Sequence, residues 1–307
     1  MNGMPENILG RIGNTALIAL RKIAPANGAR LWLKLESENP TGSMKDRMAL
    51  AMIEAAEADG RLAPGGTVVE YTGGSTGVSL ALACAVKGYP LHIVTSDAFA
   101  REKLAHMQAF GARLKVIGSD GGRMTEKLTR DMVEAARIIA AETGGFWTDQ
   151  LNNTDQLVAY RRMAEEIWSQ TGGRLRAFVQ SVGTAASLRG NAEALRRRDG
   201  RIRIVAVEPA ESAVLSGGPS GAHKIDGVGA GFVVPLWRDD IADRIERVST
   251  EAAKEMASRL AREEGLFAGT STGANVVAAL RIAEQLEPGA AVVTVLCDTG
   301  MKYLSKA

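Results

Sequence analysis

Cysteine is nearly absent from this chain. Its two copies in 307 residues, Cys84 and Cys297, lie far apart in apolar segments, so no disulfide framework is expected and a reducing compartment is the simpler setting. The three histidines, His92, His106 and His223, are widely separated. None has cysteine or carboxylate neighbours at metal-ligand spacing, which argues against a metal centre and against a serine–histidine triad. Charge of one sign is lacking too, with 37 Lys plus Arg against 35 Asp plus Glu. The charges are spread along the chain and leave no footprint for nucleic acid or a membrane surface. The densest basic run, Arg196-Arg197-Arg198, falls at an expected helix end, where cations suit the dipole. Long apolar runs are missing as well. "MNGMPENILGRIG" lacks the core of a signal peptide, and "GVSLALACAVKGYP" is broken by Lys87 well short of a membrane span. A cytoplasmic protein is expected, without a membrane segment.

What is present is a hydrophobic content of 46% and 34 glycines, arranged as apolar runs that each lead through a Gly/Ser/Thr loop into an amphipathic stretch. "GTVVEYT" passes through "GGSTG" into "VSLALACAVKG", and "AFVQSV" passes through "GTAAS" into "LRGNAEALRRR". "RLWLKLE", "PLHIVTS", "RIRIVAVEP" and "AVVTVLCDTG" are further strands of the same kind. This is the pattern of an α/β protein with mostly parallel sheets, whose ligand crevice lies at the carboxyl ends of the strands. No Pro- or Ser-rich linker divides the chain. Residues 41–147 are expected to form a smaller lobe, and 1–40 with 148–307 the larger one.

"NPTGSMKDRMAL" at residues 39–50 places Lys45 in the first turn of an expected helix, where a cation is disfavoured by about 0.3–1 kcal/mol. Ser43 followed by Asp46 has capping-box form, which starts the helix at about Met44. The dipole and partial burial favour a neutral amine, and a neutral lysine amine is a nucleophile toward a carbonyl. On this segment alone a solvated lysine is the alternative. "EYTGGSTGVSL" at 70–80 supplies a second helix entrance, with Thr72, Gly73, Gly74, Ser75 and Thr76 offering N–H groups and hydroxyls to an anion, or simply forming a Gly-rich capped turn. It has neither P-loop nor G-x-G-x-x-G spacing. "SVGTAASLRG" at 181–190 is a third, with Gly183, Thr184 and Ser187 able to hold a phosphate. "GVGAGFVVP" at 227–235 is followed by Val-Val-Pro and not by a helix, so it is not a nicotinamide site; its glycines let backbone approach a ligand or move.

Together these loops resemble the pyridoxal-phosphate enzymes of fold type II, in the cysteine synthase and cystathionine β-synthase branch. "PTGSMKDR" is similar to the family's "PSGSVKDR", "TGGSTG" stands where "TSGNTG" binds substrate, and "VGTAAS" stands where "GTGGT" binds phosphate. "HKIDGVGAGFVVP", "GLFAGTSTGANVVAAL" and "LCDTGMKYLS" follow in the family's order.

The resemblance implies two three-layer α/β/α domains and pyridoxal 5'-phosphate as cofactor. It implies Lys45 as the residue that forms a Schiff base and then removes the substrate Cα proton. Gly183, Thr184, Ala185, Ala186 and Ser187 would hold the phosphate. Thr72, Gly73, Gly74, Thr76, Gln150 and Gly227 would hold the amino-acid substrate, with Ser75 at the cofactor's ring oxygen. Thr299 would face the pyridine nitrogen, unless the neighbouring Asp298 turns inward. The implied activity is β-replacement, from O-acetylserine and sulfide to L-cysteine through an aminoacrylate, by a homodimer. Cystathionine formation, cysteine desulfhydration, serine/threonine dehydration and a noncatalytic binding role stay open. The chain departs from the family at Ser75 (asparagine), Gly73 (serine) and at Ala185 with Ala186 (two glycines). An alanine disfavours positive φ, so the phosphate loop is expected either to have ordinary angles there or to contain strain.

Overall fold

The structure is a computed structural model and describes residues 5–25, 27–122 and 125–306. The strands are β1 (Leu17–Ala19), β2 (Arg30–Leu35), β3 (Val68–Tyr71), β4 (Leu91–Ser96), β5 (Arg113–Ile117), β6 (Phe146–Trp147), β7 (Leu175–Ser181), β8 (Arg203–Pro209), β9 (Arg244–Val248) and β10 (Ala291–Leu296). The α-helices are α1 (Lys45–Asp59), α2 (Ser75–Lys87), α3 (Arg101–Ala109), α4 (Glu126–Thr143), α5 (Gln156–Gln170), α6 (Ala186–Arg198), α7 (Thr250–Arg259) and α8 (Thr270–Ala283). Among the described residues no helix is long and apolar enough to cross a membrane.

Two compact units emerge. The first takes its described residues from Met1–Ile12, Asn39–Gln156 and Lys302–Ala307, the second from Gly13–Glu38 and Leu157–Met301. In the first unit a four-stranded sheet runs β5-β4-β3-β6 with every pairing parallel. Alternation along β3 sends Val69 and Tyr71 to one face, where they join Val94 of β4 and Leu128, Met132, Ala135 and Ala136 of α4 in an apolar cluster. All four β3 residues are buried, which explains why a strand this short reads as a continuous apolar run apart from Glu70.

The second unit holds a six-stranded sheet, β1-β2-β10-β7-β8-β9, in which only the β1–β2 pairing is antiparallel. Leu31 and Leu33 of β2, Ala177 and Val179 of β7, Val205 and Val207 of β8 and Val292 of β10 pack with the small and branched side chains of α8 and with Ala253 and Met256 of α7.

The mixed α/β fold with parallel-dominated sheets is therefore as the sequence pattern requires. Three local expectations change. β1, β5, β6 and β9 are additional strands: two of them are three and two residues long, and the edge strands β5 and β9 read Arg-Leu-Lys-Val-Ile and Arg-Ile-Glu-Arg-Val, with too much charge to look like core. The "RLWLKLE" strand and the helix that follows are not one crossover unit, because β2 pairs with β10 in one sheet while β3 pairs with β4 in the other. The Ser43–Asp46 capping box does not form either. Met44 is the N-cap and no side chain caps α1; the Ser43 hydroxyl accepts from the Lys45 N–H at 3.2 Å while the Asp46 carboxylate is engaged elsewhere.

Candidate active site

In the first unit β3 delivers the chain to the Thr72–Thr76 loop. The Thr72 N–H donates to the Val94 carbonyl at 2.9 Å, and the Thr72 hydroxyl accepts from the Gly74 N–H at 3.1 Å, which folds the loop back on itself before α2 begins. Gly74 is the extended N-cap of α2, and no side chain caps that helix, so its first-turn N–H groups are open to an anion. The Thr76 hydroxyl donates to Gln150 Oε1 at 2.8 Å, and Gln150 Nε2 donates to the Tyr71 carbonyl at 3.1 Å. Residues 72–76 and Gln150, expected to share one role, are thus tied together.

Glu70 supports this arrangement and was not singled out from the sequence. Its carboxylate accepts from the Tyr71 N–H at 2.8 Å, the Thr148 hydroxyl at 2.6 Å and the Gln150 N–H at 3.0 Å. Complete burial pushes its pKa up to about 7, against the opposing pull of those three donors and with a small further push from Asp149. An acid interrupting "VVEYT" was the available signal.

Lys45 opens α1 in the same unit. It is half-buried, and among the described residues its ammonium makes no hydrogen bond or ion pair. The next residue, Asp46, is buried and accepts from the Thr41 N–H at 2.7 Å and from the hydroxyls of Thr41 and Ser79, both at 2.5 Å. Burial raises its pKa, although those bonds and the Lys302 charge favour the ionised form. Asp46 therefore fixes the start of α1 against α2 and leaves Lys45 unpaired. Lys302, buried, donates to the Ser75 hydroxyl at 3.4 Å; in sequence it was only one of many lysines. Burial pushes the Cys84 thiol up to about 12, which keeps it protonated and inert at neutral pH.

In the second unit β7 leads into Val182, Gly183, Thr184 and Ala185. The Val182 N–H donates to the Val207 carbonyl at 3.0 Å, and its own carbonyl accepts from the Gly229 N–H at 3.1 Å. Gly183 is required by close approach: a Cβ there would stand 2.5 Å from the Gly227 carbonyl oxygen. That close approach brings Gly227, expected among the binding residues, beside the loop expected to hold phosphate. Ala185 has φ 68 and ψ −15, so of the two expectations the strained one holds, at a cost of about 1–2 kcal/mol. The left-handed residue turns the chain into α6, whose first intrahelical bond runs from the Arg189 N–H to the Ala185 carbonyl at 2.9 Å. The N–H groups of Ala186, Ser187 and Leu188 precede that bond, and no side chain caps the helix. The Ser187 hydroxyl donates to Gln180 Oε1 at 2.9 Å. At the far end of the same helix Arg196, Arg197 and Arg198 occupy the last turn. Beyond β10, Asp298 is buried and Thr299 half-buried; Thr299 pairs with Ala268 in an isolated antiparallel bridge, and its hydroxyl accepts from the Met301 N–H at 3.3 Å.

Each unit, taken by itself, carries groups suited to one part of a phosphorylated carbonyl cofactor. A dianionic phosphate suits an uncapped helix start reached through a left-handed residue, and a carbonyl suits an amine held without an ion-pair partner. Comparison with known proteins agrees. The family profile described as "Pyridoxal-phosphate dependent enzyme" matches residues 8–298. The chain is 40% identical over 303 residues to a Staphylococcus aureus (strain Mu50 / ATCC 700699) protein named cysteine synthase, covering 98% of this chain and 96% of that one. It is 38% identical over 303 residues to a Bacillus subtilis (strain 168) protein named probable cysteine synthase, covering 97% and 96%. The crystal structure of cysteine synthase from Entamoeba histolytica matches with a TM-score of 0.92 at 36% identity, over 99% of this chain and 90% of that one. With a family match over residues 8–298 and relatives 38% and 40% identical over nearly the whole chain, the chain belongs to the pyridoxal-phosphate-dependent enzymes of fold type II.

Proposed function

We propose that the protein makes L-cysteine by β-replacement: O-acetyl-L-serine loses acetate and hydrosulfide adds to the β-carbon. The observation that carries this reading is the Lys45 amine, half-buried and without an ion pair, in the same unit as the Thr72–Thr76 loop and its partner Gln150. Bound pyridoxal phosphate supplies an electron sink for negative charge at the substrate Cα. Lys45 would hold the cofactor through its side-chain amine and would take the substrate Cα proton as general base. Gly183, Thr184, Ala185, Ala186 and Ser187 bind the phosphate. Thr72, Gly73, Gly74 and Thr76 bind the substrate carboxylate with Gln150, Gly227 lines the substrate side, and Ser75 donates to the ring oxygen. Thr299 offers the ring nitrogen a neutral hydroxyl, which favours elimination and readdition over transamination. We further infer a cytoplasmic homodimer; the two free, buried cysteines suit a reducing compartment.

The test is the visible spectrum of the purified protein before and after O-acetylserine and then sulfide, with Lys45→Ala beside it. The expected result is a cofactor band absent from the variant, a shift on adding O-acetylserine and its reversal by sulfide with release of cysteine. A band that ignores O-acetylserine but responds to serine with homocysteine, or to threonine, replaces the proposed reaction with cystathionine formation or dehydration. A protein that takes up no cofactor reduces the reading to a binding role.

A further inference from the structure

β7 and β10 lie side by side in the sheet of the second unit, and the strand order reverses between them. From β7 the chain runs through α6 to β8 and β9 on one side, and only then returns through α7 and α8 to β10 on the other. Neighbouring parallel strands whose connections leave in opposite directions open a crevice at their carboxyl ends. The ladder between these two pairs Ala291 with Leu175, Val292 with Ala177 and Val293 with Phe178. On their outer sides β7 stays paired with β8 as far as Ser181 with Val207, and β10 with β2 as far as Leu296 with Leu35.

Past Val293, side chains join the two strands. The Thr294 hydroxyl donates to the Val179 carbonyl at 2.7 Å. Asn275, in the second turn of α8 and fully buried, accepts from the Ser181 N–H on Oδ1 at 2.7 Å and donates from Nδ2 to the Val295 carbonyl at 2.9 Å and to Cys297 Sγ at 3.3 Å. A backbone N–H only donates and a carbonyl only accepts, so these partners fix which end of the amide is oxygen. One end of Asn275 therefore holds β7 and the other holds β10. Ser181 closes β7, and two residues later the chain makes the close approach at Gly183 before entering α6. The Ser181 hydroxyl is itself buried and has no partner among the described residues, so the protein alone does not complete the hydrogen bonding at this strand end. An apolar side chain at 275 would leave the Ser181 N–H and the Val295 carbonyl without partners in a dry interior. The strand end could recover only by moving toward water, and the loop that follows would move with it.

We propose that Asn275 is a positioning residue, an amide strut that joins β7 to β10 where the two strands part and, by holding the Ser181 N–H, sets the Gly183–Ser187 loop for the cofactor's phosphate. The proposal rests on the reading of that loop as the phosphate site. It is tested on the full-length protein stripped of cofactor, with Asn275→Leu, Asn275→Ala and Thr294→Val beside wild type. Each protein is titrated with pyridoxal 5'-phosphate and with pyridoxal, and its thermal midpoint is measured before cofactor is added. The ratio of the two dissociation constants reads what the phosphate contributes. Asn275→Leu is expected to lower the midpoint and to shrink that ratio about tenfold, the scale of one hydrogen bond to a charged group, with pyridoxal affinity changed less than about twofold. Asn275→Ala, which leaves room for a water to serve Ser181, is expected to shrink the ratio about threefold and keeps the test open should the leucine variant fail to fold. Thr294→Val removes a bond between the same strands that does not reach the loop, and is expected to lower the midpoint and leave the ratio as in wild type.

A lowered midpoint with a wild-type ratio in both Asn275 variants reduces the residue to a structural tie and overturns the positioning role. So does a ratio that falls as far in Thr294→Val as in Asn275→Leu. A wild-type midpoint in Asn275→Leu overturns the strut itself. A wild-type protein that binds pyridoxal as tightly as its phosphate ester overturns the phosphate reading of the loop, and the midpoints, which need no cofactor, separate that failure from absence of the strut.

Discussion

The Thr72–Thr76 loop and the Gly183–Ser187 loop each carry a parallel strand into a helix with no side-chain cap, yet they are held by different means. In the first the backbone angles are undemanding, Gly74 being extended, and the constraint is lateral: Phe99 presses on Gly73, Gln150 grips Thr76, and Glu70 anchors Gln150 from below. In the second the constraint lies in the backbone itself, with Ala185 left-handed and Gly183 against the Gly227 carbonyl. A loop held by side chains can be retuned one neighbour at a time. A loop held by its own dihedrals tolerates change only where the dihedrals allow it.

Substitutions can break or sharpen this contrast. The largest expected effect is at Glu70. Burial raises its folded-state pKa from the ordinary 4.5 to about 7, so the stability it contributes is fully present below about 4.5 and is lost as pH rises through about 7. Relative to Glu70→Gln, wild type should lose on the order of 3 kcal/mol of its advantage between pH 5 and pH 8, read from denaturant midpoints across that range. A gap independent of pH would mean that Glu70 acts by shape alone. Next is Gly183→Ala, which puts a methyl 2.5 Å from the Gly227 carbonyl oxygen. Cofactor affinity should fall about 10- to 100-fold, measured by equilibrium titration of cofactor absorbance. Thr76→Val removes the hydroxyl that donates to Gln150 Oε1 in a buried setting and should cost about 1–2 kcal/mol, with KM for the amino-acid substrate rising more than kcat falls. The smallest effect has the opposite sign. Ala185→Gly relieves the left-handed alanine, and the gain should exceed the added unfolded-state entropy by less than about 1 kcal/mol. A lower thermal midpoint in that variant would show that the Ala185 methyl packs and does not merely strain.

Much of this was legible in the sequence because loops at strand ends concentrate Gly, Ser and Thr into short words. Lys45, the 72–76 loop, the 183–187 loop and the fold class could be read from such words in order. Phe99 and Lys302 could not, and for Glu70 only the acid inside an apolar run gave a sign. Glu70 matters through donors spread over residues 71, 148 and 150, Phe99 through a ring placed on a glycine 26 positions earlier, and Lys302 through a hydroxyl at Ser75. Each is a long-range contact that no local pattern encodes. The capping expectation at Ser43 failed for a related reason: Asp46 found stronger partners in Thr41 and Ser79 than the reciprocal bond that spacing alone suggests.

The place of β10 has a consequence for how the chain is born. It lies between β2 and β7 in its sheet, pairing with Arg30–Leu35 on one side and with β7 on the other, yet it is the last of the ten strands in sequence order. At roughly 5–20 residues per second, about 10–50 s separate the emergence of β2 from that of its neighbour. Throughout that interval β2 waits with an open edge, while the four strands β3 to β6 are made in a single stretch and need nothing downstream to complete their sheet. One sheet can assemble as soon as β6 has emerged, and the other only once β10 has followed.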